Sequence, residues 1–242
     1  MRDKCEGEKT SGDGGTSHDH ATGRQTIPVE RALLEKNDTL AERNRDLFRA
    51  RGLLVLNVLS APGSGKTTLI QKTAEALAGR CRLGVVVGDL ATDNDAARLR
   101  AAGVPVVQIT TGTVCHLEAD MVARAAAQLD LTALDVLVIE NVGNLVCPAD
   151  FDLGEELRVV LLSVTEGEDK PVKYPPLFHS ANIVVITKTD LAAAAGFERE
   201  KAWLHLRRVS HHAEIFEVSA RTGQGMREWA DYLAQLRARR KR

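Results

Sequence analysis

The chain is poor in aromatic residues and cysteines, and it has no long apolar run. Phe, Trp and Tyr make up 4% of the 242 residues, and the four cysteines stand far apart, at positions 5, 81, 115 and 147. Such wide spacing excludes the framework of a small disulfide-rich secreted protein. No apolar run approaches the roughly 20 residues that cross a bilayer, and the polar N-terminal stretch has no apolar signal core. We therefore expect a reducing, cytoplasmic location and no membrane association.

An excess of charge of either sign is also missing. The formal net charge is −1, so no overall field draws the protein to nucleic acid, and we expect no such partner. The basic C-terminal stretch 237–242 (RARRKR) is interpreted as a solvated tail. Residues 1–27 are polar and lack apolar periodicity, which predicts disorder. The remaining residues, 28–236, are enough for one domain with a substantial core.

Hydrophobic periodicity predicts alternating strands and helices after residue 52. Before it, an amphipathic helix is predicted over 28–51, where apolar residues recur at helical spacing. The predicted strands are 53–59, 83–88, 104–109, 134–140, 158–164, 182–187 and 214–218. The predicted helices are 66–79, 92–102, 116–129, 197–209 and 225–239. Short apolar strands flanked by helices are typical of an α/β fold whose mostly parallel sheet is covered on both faces.

The stretch LNVLSAPGSGKTT, residues 56–68, joins a strand, a glycine-rich turn and a helix start. It matches the phosphate-loop (P-loop) pattern G-x-x-x-x-G-K-[ST], except that Ser60 replaces the first glycine. Glycines let backbone N–H groups approach phosphates, and a helix N-terminus adds positive potential. Lys66 is expected at the β- and γ-phosphates and Thr67 on Mg²⁺. The whole set expected around the phosphates is Gly63, Ser64, Gly65, Lys66, Thr67 and Thr68. The loop does not distinguish ATP from GTP.

Two later stretches indicate guanine. Asp190, in TKTD at the end of a predicted strand, can accept hydrogen bonds from the N1–H and N2 amino group of guanine. Adenine offers no such pair of donors, and the mismatch would leave the carboxylate unpaired. Lys188 can lay its aliphatic stem along the base. The stretch EVSARTG puts Ser219 and Ala220 after the last strand, where a backbone N–H can reach guanine O6. We therefore predict that the nucleotide is GTP.

Acidic residues at the ends of two further strands predict the Mg²⁺ site. Asp89 is expected to bind the ion directly or through a water molecule, and Asp95 is a weaker candidate. Glu140 and Gly143 form an E-x-x-G stretch, with Glu140 near the Mg²⁺ waters and the Gly143 N–H near the γ-phosphate.

The catalytic residues are predicted to be Lys66, Glu140 and Gly143. Asn144 stands where Ras-type enzymes have the glutamine that orients water, and no arginine finger is evident in the sequence. We therefore expect slow intrinsic hydrolysis that a partner or dimerisation accelerates.

Three soft donors follow two of the predicted strands. Cys115 and His116 come after the strand 104–109, and Cys147 comes after the strand 134–140. Loops that follow parallel strands gather at one edge of the sheet, so the three donors can converge. Two sulfurs and an imidazole suit Zn²⁺ or Ni²⁺ rather than Mg²⁺. A lone cysteine is more often a small apolar core residue, and that alternative stays open at this point.

The position of Cys147 predicts coupling between the metal and the nucleotide. It lies seven residues after Glu140, in the loop expected to respond to the γ-phosphate. A change of nucleotide state would then move one donor relative to the other two. Three donors leave a coordination position open, and a two-fold dimer can complete it.

Seven stretches of this chain, spread over about residues 28–236, resemble the HypB family. They are SAPGSGKTT, GDLATDNDA, TTGTVCHLEADM, IENVGNLVCPADFDLGE, SVTEGEDKPVKYPPLF, TKTDL and VSARTGQGM. The resemblance implies a SIMIBI-class P-loop GTPase that delivers nickel during hydrogenase maturation and forms a GTP-dependent homodimer with a metal site at its interface. The partners that it implies are a HypA-type nickel metallochaperone and the precursor of the hydrogenase large subunit. The residues that match the family's metal, nucleotide and Mg²⁺ positions are Cys115, His116, Cys147, Lys66, Thr67, Asp89, Glu140, Lys188 and Asp190.

The N-terminal segment departs from the family. Some members carry a C-x-x-C-G-C motif or long histidine tracts there, whereas this chain has Cys5, His18 and His20. Nickel storage by this segment is therefore not expected. Two other functions stay open: a metal-binding adaptor with incidental GTP hydrolysis, and a GTPase that serves another nickel enzyme such as urease.

Overall fold

The structure, a computed structural model, describes the backbone of residues 23–240 and the side chains of residues 31–240. Cys5, His18 and His20 lie outside the described residues. Within the described part of the chain, no helix is long and apolar enough to span a membrane.

Seven parallel strands form one sheet in the order β3-β2-β4-β1-β5-β6-β7. Their bounds are β1 Leu54–Leu59, β2 Leu83–Asp89, β3 Val106–Thr110, β4 Val136–Glu140, β5 Leu157–Ser163, β6 Ile183–Thr187 and β7 Glu214–Glu217. The central strand β1 pairs with β4 and β5, and Val58 lies opposite both Glu140 and Val159. Strands β1 and β4 are buried along their whole length, as expected of a parallel sheet with helices on both faces. This confirms the predicted fold class.

Helices cover both faces of the sheet. Their bounds are α1 Gly23–Ala50, α2 Lys66–Leu77, α3 Asn94–Ala101, α4 Ala119–Ala126, α5 Lys170–Lys173, α6 Pro175–His179, α7 Ala192–Ala195, α8 Arg199–Val209 and α9 Met226–Arg240. Single 3₁₀ turns lie at Leu131–Ala133, Cys147–Ala149, Val164–Glu166 and Thr189–Leu191. Of these helices, α2, α3 and α9 pack on one face. On the other face, α1 and α4 form one apolar cluster with the sheet, and α6 and α8 form another.

Alternation along the strands builds these two cores. In β4, Val136 and Val138 join the cluster under α2 and α9, whereas Leu137 and Ile139 join the one under α1 and α4. Full burial of such a side chain contributes about 1.5–3 kcal/mol. The strands are therefore held firmly from both sides, and the loops at their carboxyl edge start from fixed points.

Helix α1 is fastened to the loops of this edge by buried amides. Asn37 donates to the Asp152 carbonyl at 2.8 Å and accepts from the Ala119 N–H at 2.9 Å. Asn44 donates to the Ala119 carbonyl at 2.8 Å. A Cβ placed on Gly154 would lie 2.5 Å from Asn44 Cβ, so only glycine allows this approach. The start of α4 is thus clamped by α1.

Both predicted terminal boundaries fall inside helices. Helix α1 begins at Gly23, within the stretch 1–27 predicted to be disordered, and α9 continues to Arg240. Arg237 is buried and donates to Asp135 at 3.2 Å, and Arg240 contacts Glu156 and the Leu53 carbonyl. The interpretation of 237–240 as part of a solvated tail is therefore wrong. The reason is that long arginine side chains reach acceptors which the local charge pattern does not reveal.

Candidate nucleotide and metal site

The P-loop follows β1 and has the backbone that its glycines permit. Gly63 and Gly65 have φ of 73° and 95°, in the left-handed region. Ser60, at the first position of the pattern, does not have a positive φ, so glycine is not required there. Its buried Oγ accepts a hydrogen bond from Lys66 Nζ at 3.1 Å. The substitution of serine for glycine therefore leaves the loop intact and gives the lysine a partner.

Glu140 and Thr67 meet beneath the P-loop. Thr67 Oγ1 donates to Glu140 Oε1 at 2.7 Å, while Glu140 Oε2 is buried without a hydrogen-bond partner. Burial raises the pKa of Glu140 to about 7, against the opposing effect of the Lys66 charge. Burial likewise lowers the pKa of Lys66, and the Glu140 charge opposes that shift. The orphan oxygen and the threonine hydroxyl are hard donors of the kind that a hydrated Mg²⁺ needs.

Asp89 lies at the end of β2 and caps the turn that follows it. Its Oδ1 accepts from the backbone N–H groups of Ala91 and Thr92 at 2.9 and 2.8 Å. Although burial opposes the shift, these bonds lower the pKa of Asp89. Asp95, the weaker candidate, is one of the charges that act on Lys66, and it also lies 3.8 Å from Arg98.

The loop after β4 packs directly on the P-loop. A Cβ placed on Gly143 would lie 2.9 Å from Pro62 Cα, closer than side chains approach backbone. Glycine at 143 is therefore required by contact with Pro62. The same loop continues to Cys147.

Two of the predicted base-binding residues, Lys188 and Asp190, line a cavity of ≈ 310 Å³ beside the P-loop. Lys188 has φ of 59° and its Nζ donates to the Gly63 carbonyl at 2.6 Å. Ser219 Oγ donates to Asp190 Oδ1 at 2.5 Å, and Arg221 Nε donates to Asp190 Oδ2 at 2.8 Å. The Ser219 hydrogen bond is the largest cause of the lowered pKa of Asp190. Ala220 lines the same cavity.

Cys115, His116 and Cys147 converge at the same edge of the sheet. Their donor atoms all lie within 4.8 Å of one another, and they form the one such group in the described part of the chain. The His116 ring stacks on Phe151, with centroids 3.9 Å apart, and neither ring nitrogen has a hydrogen-bond partner. Burial lowers the pKa of His116, which favours the neutral imidazole that binds metals. Unpartnered nitrogens beside two sulfurs fit a borderline-soft ion such as Ni²⁺ or Zn²⁺.

Buried amides that our sequence interpretation missed connect these sites. The Leu117 N–H donates to Asn141 Oδ1, Asn141 donates to Asn57, and Asn57 donates to Glu155, at 3.3, 3.3 and 3.2 Å. The detectable signal was Asn57, a polar residue inside the apolar strand LVLNVL. Because such a residue needs partners when buried, it points to a network.

Three further contacts were also missed. Glu166 Oε1 lies 2.6 Å from Ser64 Oγ in the P-loop, and burial raises the pKa of Glu166. Arg98 donates to Thr68 Oγ1 at 3.1 Å. Asn144, which stands where Ras-type enzymes have a water-orienting glutamine, accepts a hydrogen bond from the Val146 N–H at 2.8 Å and so shapes the turn before Cys147.

Comparison with known proteins identifies the family of the chain. The profile of the family "CobW/HypB/UreG, nucleotide-binding domain" matches residues 54–217. The chain is 50% identical over 231 residues to the hydrogenase maturation factor HypB of Azotobacter vinelandii, covering 94% of this chain and 76% of that protein. The crystal structure of HypB from Helicobacter pylori in complex with nickel has a TM-score of 0.81 and 40% identity, over 84% of this chain and 96% of that one. Archaeoglobus fulgidus HypB has a TM-score of 0.78 and 41% identity, over 84% and 99%. The chain therefore belongs to the HypB family of P-loop GTPases.

Proposed function

We propose that this GTPase uses its nucleotide state to control binding and release of nickel, which it delivers to [NiFe]-hydrogenase during maturation. The names of its relatives support this: one is a hydrogenase maturation factor, and another was crystallised with nickel. The observation that carries the proposal is the loop 140–147. It starts at Glu140, buried against Thr67, contacts Pro62 through Gly143, and ends at Cys147 among the three donors.

Hydrolysis is proposed to be electrostatic. Lys66 and the P-loop amides stabilise charge on the phosphoryl group, and water is the nucleophile. Glu140 and the Gly143 N–H act at the γ-phosphate end. When bound, Mg²⁺ neutralises phosphate charge, with Thr67 and Asp89 as its protein contacts. The proposed phosphate contacts are Gly63, Ser64, Gly65, Lys66, Thr67 and Thr68, and the proposed guanine contacts are Lys188, Asp190, Ser219 and Ala220.

Of the three metal donors, Cys147 is the one that responds to the nucleotide. Cys115 and His116 precede α4, whose first residue Ala119 is held on both its N–H and its carbonyl by α1. Cys147 instead follows the loop that touches the P-loop. A shift of that loop therefore changes the distances among the donors and the affinity for the ion.

We further propose that GTP brings two copies of this SIMIBI-class chain together, so that a second copy completes the open coordination position. Ni²⁺ is the proposed cargo and Zn²⁺ an alternative occupant. A HypA-type metallochaperone is the proposed partner on the nickel route, and the hydrogenase large-subunit precursor is the acceptor. A reducing cytoplasm suits a site with two thiols.

The test is a nickel titration of the full chain with GDP or with a non-hydrolysable GTP analogue, while light scattering follows the mass. We expect the nickel affinity to differ between the nucleotides and the mass to double with the analogue. Cys147→Ser should abolish the difference, whereas Cys81→Ser, outside the donor group, should preserve it. Equal affinity with both nucleotides in a persistent monomer would refute the coupling.

A further inference from the structure

The His116 ring has one more polar atom than the ion can use. A neutral imidazole carries one acceptor nitrogen, which a metal takes, and one N–H donor. Both His116 nitrogens are buried and unpartnered, and stacking on Phe151 fixes the ring plane. Once an ion is bound, a buried N–H would remain without an acceptor, which is unfavourable. The site therefore needs a partner for that second nitrogen.

Glu118 is placed to be this partner. Its Oε1 lies 3.8 Å from His116 Nε2, beyond hydrogen-bond range but within reach of a side-chain rotation. The Glu118 side chain is 46% exposed, and this ring is its one ion-pair contact within residues 31–240. It also lines an open groove of ≈ 440 Å³ between α1 and His116, which leaves it room to move. Asp120, in the same groove, is engaged by Arg124 at 3.0 Å.

The position of Glu118 shows whether it is a metal ligand or a residue that supports one. The group of donors within 4.8 Å of one another contains Cys115, His116 and Cys147 but not Glu118. The carboxylate is therefore placed to contact the imidazole at Nε2 and is not a fourth member of the donor group. In metal sites, a carboxylate there fixes the ring orientation and strengthens the donor nitrogen.

We propose that Glu118 is a positioning residue of the nickel site. It accepts the Nε2–H bond of His116 and so presents Nδ1 to the ion, between Cys115 and Cys147. The inference rests on the proposed function, because it requires these three donors to hold the ion.

The test compares Glu118→Ala and Glu118→Gln with Asp120→Asn, which removes a charge from the same groove. Nickel affinity of the full chain is measured by competition with a chromophoric chelator. Glu118→Ala removes the carboxylate that holds the ligating histidine, so its nickel affinity should be about 10- to 100-fold lower than that of the wild type. Glu118→Gln keeps an acceptor, so its nickel affinity should lie between those of Glu118→Ala and the wild type. Asp120→Asn should bind as the wild type does. Equal losses for Glu118→Gln and Asp120→Asn would indicate a general charge effect and overturn the proposal.

A second readout separates positioning from folding. With Zn²⁺ as a diamagnetic probe, ¹⁵N NMR of labelled histidine should show the His116 proton on Nε2 in the wild type. A proton on Nδ1 would contradict the inference, whatever the affinities. If Cys147→Ser also binds nickel as tightly as the wild type, the proposed function fails. If that variant loses nickel while the Glu118 variants do not, only this inference fails.

Discussion

The nucleotide side and the metal side of this sheet edge differ in how their polar atoms are satisfied. On the proposed nucleotide side, three of the polar side chains already have partners: Lys66 bonds to Ser60, Lys188 to the Gly63 carbonyl, and Asp190 to Arg221. On the metal side, both His116 nitrogens are buried without partners. These three side chains must therefore exchange partners when a nucleotide binds, whereas the imidazole has no hydrogen bond to give up.

This difference predicts different energetics of binding. A nucleotide must exchange existing hydrogen bonds for new ones, and each exchange nets only about 0.5–1.5 kcal/mol. Selectivity for one base must then come from the polar groups of the protein that a different base would leave unpaired. An ion at the donor group displaces no internal bond of His116. Loss of a donor should therefore weaken metal binding directly, and the following substitutions test the contrast.

The largest effect is expected from Asp190→Asn. The amide presents a donor where guanine also presents donors, so GDP affinity should fall at least about 10³-fold, and xanthine nucleotides, which carry an acceptor there, should gain. Fluorescence titration with labelled GDP and XDP measures both affinities. Nickel binding without nucleotide is the internal control and should not change. Weakened GDP binding without a gain for XDP would place the base elsewhere.

Glu140 should make the stability of the nucleotide-free protein depend on pH. Its pKa is raised from 4.5 to about 7 by burial, so between these values the folded state binds more protons than the unfolded state. The free energy of unfolding should therefore fall as the pH rises from about 4.5 to 7, by about 3 kcal/mol in total, and be flat above. Urea unfolding at each pH measures this.

Glu140→Gln is the matched comparison, because glutamine does not titrate. Subtracting its stability profile removes the contributions of His116 and other groups common to both proteins. A difference that stays constant across this range, or rises with pH, would show that Glu140 is ionised in the empty protein.

Cys147→Ser tests the proposed metal site. A hydroxyl is a poor donor for a borderline-soft ion, so nickel affinity should fall about 100-fold or more. That loss exceeds the one usually seen when a residue that hydrogen-bonds to a metal ligand is removed. GDP affinity should not change. Cys81→Ser serves as the control for loss of a thiol. Retention of nickel affinity by Cys147→Ser would mean that the donor group is not the binding site.

Much of this architecture was predictable because it repeats along the chain. Six of the seven strands are short, mostly apolar runs, and β7 alternates charged and apolar residues as EIFE. The P-loop and TKTD patterns join residues close in sequence. The helix predicted over 116–129 is shorter in the structure, where α4 spans Ala119–Ala126. Its first predicted residues instead form the loop that carries His116. Helices α5, α6 and α7 have five residues or fewer, too few for periodicity to reveal.

The contacts that the sequence did not predict join residues far apart in the chain. Asn57 and Asn141 are 84 residues apart, and Arg237 meets Asp135 over 102 residues. Composition cannot reveal which polar side chain will find which buried partner. The role of Arg221 is of the same kind, since its sequence neighbours do not indicate that it bonds to Asp190.

Arg221→Ala should give the smallest effect and sharpen the contrast most directly. The guanidinium donates to Asp190 Oδ2, which is proposed to bind guanine. The Arg221 side chain is 76% exposed, so the ion pair is weak, and its removal should speed association of labelled GDP by only about two- to fivefold. Arg227→Ala, at a 90% exposed position on α9, controls for loss of a positive charge and should associate as the wild type does. Stopped-flow fluorescence measures the rates. Because neither arginine belongs to the donor group Cys115, His116 and Cys147, nickel association should be the same in all three proteins. Slower GDP association in Arg221→Ala would mean that the arginine recruits the nucleotide instead of yielding to it.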